Sequence, residues 1–172
     1  MIVLAYNCRG LENPHAVTAL KGIVDEQDPD ILFLSETKLK YGELKRVRQR
    51  LRYGNKVYVD CEGSRQHRRG GLAMFWKSHL QLELNSYSLH HVDMAHLDEN
   101  GEATWRITGV YGYPNEGEKH KTWALLQSLN MSDLPWLCFG DFNEILGQHE
   151  KTGNNGKNQA LVRGFSGSGA VM

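Results

Sequence analysis

The chain has 172 residues, of which 40% are hydrophobic and 23% charged, values that are typical of one globular domain. Lysine plus arginine equals aspartate plus glutamate at 20 each, so the whole chain lacks the positive excess of a non-specific DNA-binding protein. It has no stretch of about 18 consecutive apolar residues and no signal-peptide pattern, so we expect a soluble protein of the nucleus or cytoplasm that does not bind membranes.

The first 52 residues alternate between strand and helix patterns. Residues 2–6 form a short apolar run that ends in a turn, as a buried strand does. Asn13 and Pro14 predict a helix start, because proline has no amide hydrogen to lose at the first helical position. A second apolar run at 31–34 predicts another strand, and the basic segment 41–52 has apolar residues at helical spacing.

From residue 57 the pattern is mainly β. Runs at 57–60, 72–76 and 80–84 predict strands, and 92–97 is expected to pair with 104–110 across a turn that contains Asn100-Gly101. Residues 119–129 predict an amphipathic helix and 136–139 a last strand. The chain after Gly153 is rich in Gly, Asn and Ser, and its end has the composition of a flexible tail, which we expect over residues 166–172, after one domain over residues 1–165.

The three cysteines, Cys8, Cys61 and Cys138, are widely separated and form no CxxC pair. Their odd number and their spacing disfavour a disulfide framework and a zinc site. We therefore expect reduced thiols with a structural role.

Polar residues directly follow four of the predicted strands: Asn7, Glu36, Tyr111 and the pair Asp141 and Asn143. In layered α/β proteins the loops at the carboxyl ends of strands lie side by side, so we expect these residues to converge. Carboxylates that hold a hard cation and activate water, amides that orient phosphate oxygens and a phenol that stabilises charge suit phosphodiester hydrolysis. No nucleophile elbow, GxxxxGK[ST] loop or HExxH motif supports another catalytic class.

Each of these residues also has a structural explanation. Asn7, Asp141 and Asn143 are of residue types that are common in turns. Glu36 suits the first turn of a helix, and Tyr111 suits the rim of a core. Their occurrence together, in this order, favours a functional site.

Basic residues are concentrated between Lys38 and Arg52. Such a run is more often a solvated helix face than a DNA contact. Some of these basic residues, with three arginines further along the chain, could form a local rim that attracts phosphate, and within this rim we assign Arg69 to substrate binding. The candidate members of this rim are Lys38, Lys40, Arg65, Arg68 and Arg69.

Five motifs, in this order, resemble those of the endonuclease/exonuclease/phosphatase superfamily: YNCRG at 6–10, FLSETK at 33–38, GGLA at 70–73, VYGYP at 110–114 and CFGDFNE at 138–144. They look most like the endonuclease domain of plant LINE-type (non-LTR) retrotransposons, which is similar to apurinic endonucleases and DNase I. The resemblance extends from Met1 to about Phe165, and GDFN alone is fairly specific.

The resemblance implies an α/β (α+β) fold, a DNase I-like sandwich of two sheets flanked by helices that lacks its last strands. It implies a hydrolase that cuts DNA with Mg²⁺ or Mn²⁺. Glu36 resembles the main metal ligand, and Asn7 the amide that supports metal and phosphate. Tyr111 resembles the catalytic tyrosine and Asp141 the residue that orients or deprotonates water. Asn143 resembles the amide that binds the phosphoryl oxygen.

The family's late Asp and its terminal Asp-His motif have no counterpart in the chain, and His149 is not assigned to that role. Three hypotheses stay open. The chain is a DNA endonuclease, or a truncated and inactive remnant that retains metal or nucleic-acid binding, or a phosphatase for phosphoinositides or small phosphate esters.

Overall fold

The computed structural model describes residues 1–64 and 67–143. The predicted domain boundary at residue 165, the predicted tail 166–172, Arg65 and His149 lie outside the described residues. The chain divides into two compact units. The first comprises Met1–Tyr111 and Leu134–Asp141, and the second comprises Gly112–Asp133 together with the described residues that follow Asp141.

A four-stranded mixed sheet forms the first half of the first unit, with the strand order β1-β2-β4-β3. The strands β1 and β2 are parallel, and the other neighbours are antiparallel. All five residues of β2 are buried, which explains why its sequence is continuously apolar instead of alternating. The bounds are β1 (Val3–Asn7), β2 (Ile31–Ser35), β3 (Asn55–Val59) and β4 (Leu72–Trp76).

A second four-stranded mixed sheet has the order β5-β6-β7-β8. The predicted hairpin is confirmed: β6 and β7 are antiparallel, and the Asp98 carboxylate accepts from the backbone N–H groups of Asn100 and Glu102 in the turn. The strands β7 and β8 are parallel. The bounds are β5 (Leu82–Ser88), β6 (His91–Leu97), β7 (Ala103–Tyr111) and β8 (Trp136–Asp141).

The helices α1 and α2 begin where the sequence predicts, α3 begins one residue later than predicted, and all three end within a residue of the prediction. In α1 (Pro14–Gln27), the Asn13 side chain accepts from the His15 N–H at 2.9 Å, so Asn13 is the N-cap. The helix α2 (Tyr41–Leu51) ends before Arg52, which has a left-handed backbone, and α3 (His120–Leu129) lies in the second unit. Among the described residues, no helix is both long and apolar enough to cross a membrane.

Two hydrophobic clusters hold the first unit together. One lies between the first sheet and the helices α1 and α2, and it includes Leu20 of α1 and Leu44 of α2. The other lies between the two sheets and includes Phe33 and Ile107. Since successive residues of β2 point to opposite faces, this strand contributes to both clusters. The predicted α/β sandwich of two sheets with helices outside is therefore confirmed.

Candidate active site

The carboxyl ends of two parallel strand pairs, one from each sheet, meet in the first unit. Asn7 ends β1, Glu36 follows β2, and Tyr111 and Asp141 end β7 and β8. The Asn7 Nδ2 donates to Glu36 Oε1 at 3.0 Å and to Asp141 Oδ2 at 2.8 Å. The Tyr111 hydroxyl donates to Glu36 Oε1 at 3.0 Å. We call these four residues the strand-end cluster; its most distant members, Asn7 and Asp141, are 134 positions apart.

The backbone around Glu36 is held in an uncommon conformation. Glu36 has a φ of 50°, in the left-handed region that few non-glycine residues adopt. Its carbonyl accepts from the Gly10 N–H at 2.8 Å, and the N–H of the next residue, Thr37, donates to the Gly71 carbonyl at 3.0 Å. The helix α2 begins only at Tyr41, so Glu36 is not an acid of a first helical turn. Strain that neighbours hold in place is a recurrent feature of functional sites.

A glycine allows Asp141 to lie beside Tyr111. In the parallel register of β7 and β8, Tyr111 pairs with Asp141. Gly140 has a φ of 131°, and a Cβ at this position would lie 2.1 Å from the Val110 carbonyl oxygen. The two strands could not approach this closely with any other residue at position 140, so the Gly-Asp sequence itself positions the carboxylate.

Burial determines the protonation of two groups at the site. Desolvation raises the pKa of Tyr111 well above its usual value, and the hydrogen bond to Glu36 and the charges of Glu36 and Asp141 raise it further. The phenol is therefore a proton donor at neutral pH. Burial, with a smaller effect of the Glu36 charge, raises the pKa of the neighbouring Cys8 thiol to about 12. A thiolate nucleophile at this position is disfavoured for that reason.

His90 contacts Tyr111, although the sequence analysis assigned no role to His90. The His90 Nδ1 lies 2.9 Å from the Tyr111 carbonyl oxygen, and the Tyr111 N–H donates to the His90 carbonyl at 2.9 Å. The two rings are parallel, with centroids 6.0 Å apart. Because a carbonyl oxygen only accepts, Nδ1 carries the proton in this contact. The register of the β6–β7 hairpin could have indicated this contact. His91 pairs with Val110, so His90, the residue before His91, lies beside Tyr111.

The structure places the remaining predicted residues in local contacts. Asn143 lies in the second unit, where its Nδ2 donates to the Gly112 carbonyl at 2.7 Å. The Arg69 side chain is exposed, and its Nε lies 3.0 Å from Glu62 Oε2. Of the predicted phosphate rim, Arg68 donates to both carboxylate oxygens of Glu43, at 3.0 and 2.9 Å.

The donor set of the strand-end cluster fits one kind of metal ion. Glu36 and Asp141 accept hydrogen bonds from the same amide, so two negative charges lie close together, and a cation would offset their repulsion. Within the described residues there is no group of three or more His, Cys, Asp or Glu side chains suited to a metal. Two carboxylates with water fit Mg²⁺, which keeps several water ligands, whereas zinc favours Cys and His.

The sequence profile of the endonuclease/exonuclease/phosphatase family matches residues 4–159. No match was found among curated proteins. Several solved structures are similar in fold. The catalytic domain of human Nocturnin is 16% identical, with a TM-score of 0.58 over 83% of this chain and 64% of that chain.

Two further similar structures come from other organisms. A mannosyl-6-phosphatase from Bacteroides thetaiotaomicron is 14% identical, with a TM-score of 0.59 over 82% of this chain and 64% of that one. The AP endonuclease LMAP from Leishmania major is 17% identical, with a TM-score of 0.61 over 88% of this chain and 57% of that one. The chain thus spans between 57% and 64% of the length of these three structures, with which it shares the fold.

Proposed function

This chain belongs to the endonuclease/exonuclease/phosphatase family, and on that premise we propose that it hydrolyses phosphodiester bonds of DNA with the help of Mg²⁺ or Mn²⁺. The observation that carries the proposal is the strand-end cluster, in which residues from four strand ends form one hydrogen-bonded group. Within the family we place the chain with the endonuclease domains of plant LINE-type retrotransposons, on the five ordered motifs. The proposed domain comprises residues 1–165.

Glu36 and Asn7 are the proposed metal-binding residues. When bound, the cation supplies positive charge that stabilises the phosphoryl oxygens as negative charge develops on them. Glu36 provides the carboxylate ligand. The Asn7 amide holds the carboxylates of Glu36 and Asp141 in place, at 3.0 and 2.8 Å, so both are oriented before substrate arrives.

Asp141 and Tyr111 are the proposed groups that act on the reacting atoms. The Asp141 carboxylate orients a water molecule and accepts its proton while the water oxygen forms a bond to phosphorus and the bond to the leaving oxygen breaks. The Tyr111 phenol stays protonated because burial raises its pKa, so it donates to an oxygen that gains charge. Asn143 and Arg69 are proposed to bind phosphate oxygens, through an amide N–H and a guanidinium group.

A phosphatase acting on small phosphate esters is the second candidate. The observation in its favour is the structural similarity to a mannosyl-6-phosphatase, at a TM-score of 0.59. The same carboxylates and phenol would serve a phosphomonoester, because in both reactions water attacks phosphorus and the leaving oxygen gains charge.

Nicking of supercoiled plasmid by the purified chain tests the proposed function. We expect nicking in Mg²⁺ that stops in EDTA and that falls about 10²–10⁴-fold in Asp141→Ala, the range for loss of a general base. Glu36→Ala is expected to lose at least as much, because it removes the metal ligand. Circular dichroism checks that each variant folds.

Glu83→Ala is the matched control, since Glu83 is an exposed carboxylate on β5 outside the cluster. This control is expected to nick as fast as the unchanged chain. A folded chain that fails to nick in Mg²⁺, or nicking that persists in both cluster variants, contradicts the proposal. Release of phosphate from mannose 6-phosphate or a phosphoinositide, without nicking, supports the phosphatase instead.

A further inference from the structure

Positive charge is concentrated in and around α2, and the proposed function does not use it. Residues 38–56 contain eight of the chain's 20 lysine and arginine residues but a single acidic residue, Glu43. The whole chain has a formal net charge of zero, so this excess is local. Because only one acidic residue offsets these positive charges, the charges repel one another. Binding of an external anionic partner would reduce this repulsion and is therefore favourable.

The structure separates the cations whose side chains make internal hydrogen bonds from those whose side chains make none. The Arg48 Nη1 donates to the carbonyls of Tyr53 and Gly54, at 2.8 and 2.7 Å, and the Arg50 Nη2 donates to the Thr18 hydroxyl at 2.8 Å. These side chains have structural roles. Four other cations have exposed side chains that make no hydrogen bond or salt bridge with any described residue: Lys45, Arg46, Arg52 and Lys56. We call these four residues the basic face.

Three members of the basic face, Lys45, Arg46 and Lys56, lie on one side of the first sheet. Three buried residues, Leu44, Val47 and Leu51, define the side of α2 that packs on the core. At 3.6 residues per turn, Lys45 and Arg46 lie on the opposite side of the helix.

Lys56 lies on β3, two residues before Tyr58, so both side chains point to the same face of the sheet. The Tyr58 ring packs edge-on against Tyr41 of α2, with centroids 5.3 Å apart. Lys56 is therefore on the same side of the sheet as α2.

We propose that the basic face binds the phosphate backbone of duplex DNA. Charge complementarity carries the argument: duplex DNA has one negative charge per about 1.7 Å of its axis. From Lys45 to Leu51 the helix rises about 9 Å, and Arg52 follows directly, so the cations are spread over a length that meets several phosphates. This inference goes beyond the proposed function, because the basic face contains no residue of the strand-end cluster and binding here requires no cleavage.

A membrane surface fits the same charges less well. Helices that bind bilayers insert an apolar face between the lipids. In α2 the apolar residues Leu44, Val47 and Leu51 are buried in the core and leave no apolar face for lipid. A polyanion recognised through its charge alone is the better partner.

Fluorescence anisotropy of a short labelled duplex tests the inference, with the full chain in EDTA so that no metal-dependent cleavage occurs. The test variant replaces both Lys45 and Arg46 by Gln, which removes two charges and keeps good helix formers. We expect the slope of log affinity against log salt to decrease in magnitude by about 1.8, since each phosphate contact contributes about 0.9. The affinity at low salt should fall by at least about tenfold.

Two controls isolate charge as the cause. The swap Lys45→Arg with Arg46→Lys keeps both charges and should bind with the unchanged salt slope. Lys121→Gln removes an exposed charge from α3 and should bind like the unchanged chain. An unchanged slope and affinity in the Gln variant would overturn the inference, as would binding to phosphatidylserine vesicles that exceeds binding to the duplex.

The two proposals fail in distinguishable ways. Absence of nicking with salt-dependent binding intact contradicts the proposed function alone. Nicking with binding that does not depend on Lys45 and Arg46 contradicts the basic face alone.

Discussion

Asn7 joins the two carboxylates of the strand-end cluster through a single amide. Its Nδ2 donates to Glu36 and Asp141, and its Oδ1 accepts from the Arg9 N–H at 3.1 Å. Both amide hydrogens and the amide oxygen are therefore engaged, which determines the orientation of the side chain. An aspartate at this position would lose both donors and add a third negative charge, so the amide is required for the geometry.

His90 is expected to position Tyr111 for catalysis. His90→Ala removes the Nδ1 donor to the Tyr111 carbonyl and the parallel ring, so the phenol is held less firmly. We expect kcat for cleavage of a DNA duplex to fall by about 10–10²-fold with KM unchanged, because small misplacements of reacting groups are costly. His90→Asn keeps an N–H donor near the Nδ1 position and should recover most of the rate.

Steady-state kinetics of the two His90 variants decides this prediction. A role in stability alone would lower the amount of folded protein in both variants and would not separate Asn from Ala. Cleavage by His90→Ala at the unchanged rate, or equal losses in both variants, contradicts the positioning role.

The strand-end residues could be predicted because each one ends an apolar run that the sequence shows directly. Asn7, Glu36 and Asp141 needed only the rule that strand carboxyl ends collect functional groups. The contact of His90 with Tyr111 depends on where the hairpin begins. The strand β6 begins one residue before the predicted strand at 92–97, and β7 extends one residue beyond each end of the predicted strand at 104–110. The prediction therefore left Tyr111 in a loop and did not place it beside the turn residue His90.

The two parallel strand pairs explain why the cluster forms at one end of the sandwich. In the first sheet, Asn7 of β1 pairs with Ser35 of β2, immediately before Glu36. In the second sheet, Tyr111 pairs with Asp141. Parallel neighbours end on the same side, so each pair presents two functional side chains together. The packing of the sheets then determines whether the pairs meet.

Gly109 of β7 is expected to control that packing. A Cβ at this position would lie between 2.4 and 2.7 Å from ring atoms of Phe33 on β2. Phe33 is 1% exposed, so its ring has little room to move. We expect Gly109→Ala to lower the free energy of unfolding by about 1–3 kcal/mol, the usual cost of overpacking, as measured by urea denaturation.

Gly42→Ala is the control for a glycine replacement that meets no neighbour. Gly42 lies in α2, and no atom lies within 4 Å of the added Cβ. Alanine is the better helix former, so this variant should be at least as stable as the unchanged chain. If Gly109→Ala proves as stable as the unchanged chain, this contradicts the role of the close contact between β7 and Phe33 in the packing of the two sheets.

The alternating pattern predicts strands only while their register is regular. The sequence predicted a strand at 80–84, whereas β5 begins at Leu82 and continues to Ser88. The register shifts between Leu84 and Ser86, as in a β-bulge. A bulge adds a residue on one strand and changes which side chains face inward, so alternation no longer identifies the strand beyond it.

At the scale of the whole molecule, the strand-end cluster requires both sheets. Asn7 and Glu36 come from the first sheet, and Tyr111 and Asp141 from the second. The fold class could be predicted, because helical and strand periods are local properties of the sequence. The distances within the cluster could not, because they depend on how the sheets pack at residues such as Phe33 and Gly109.

Calorimetric titration of the purified chain with Mg²⁺ tests most directly whether the cluster is a cation site. We expect one binding event that is weakened at least about tenfold in Glu36→Gln, a variant that keeps the size of the side chain and removes its charge. Glu83→Gln, which removes an exposed carboxylate outside the cluster, should bind like the unchanged chain. Absence of binding by the unchanged chain, or equal affinity in Glu36→Gln, would contradict the account.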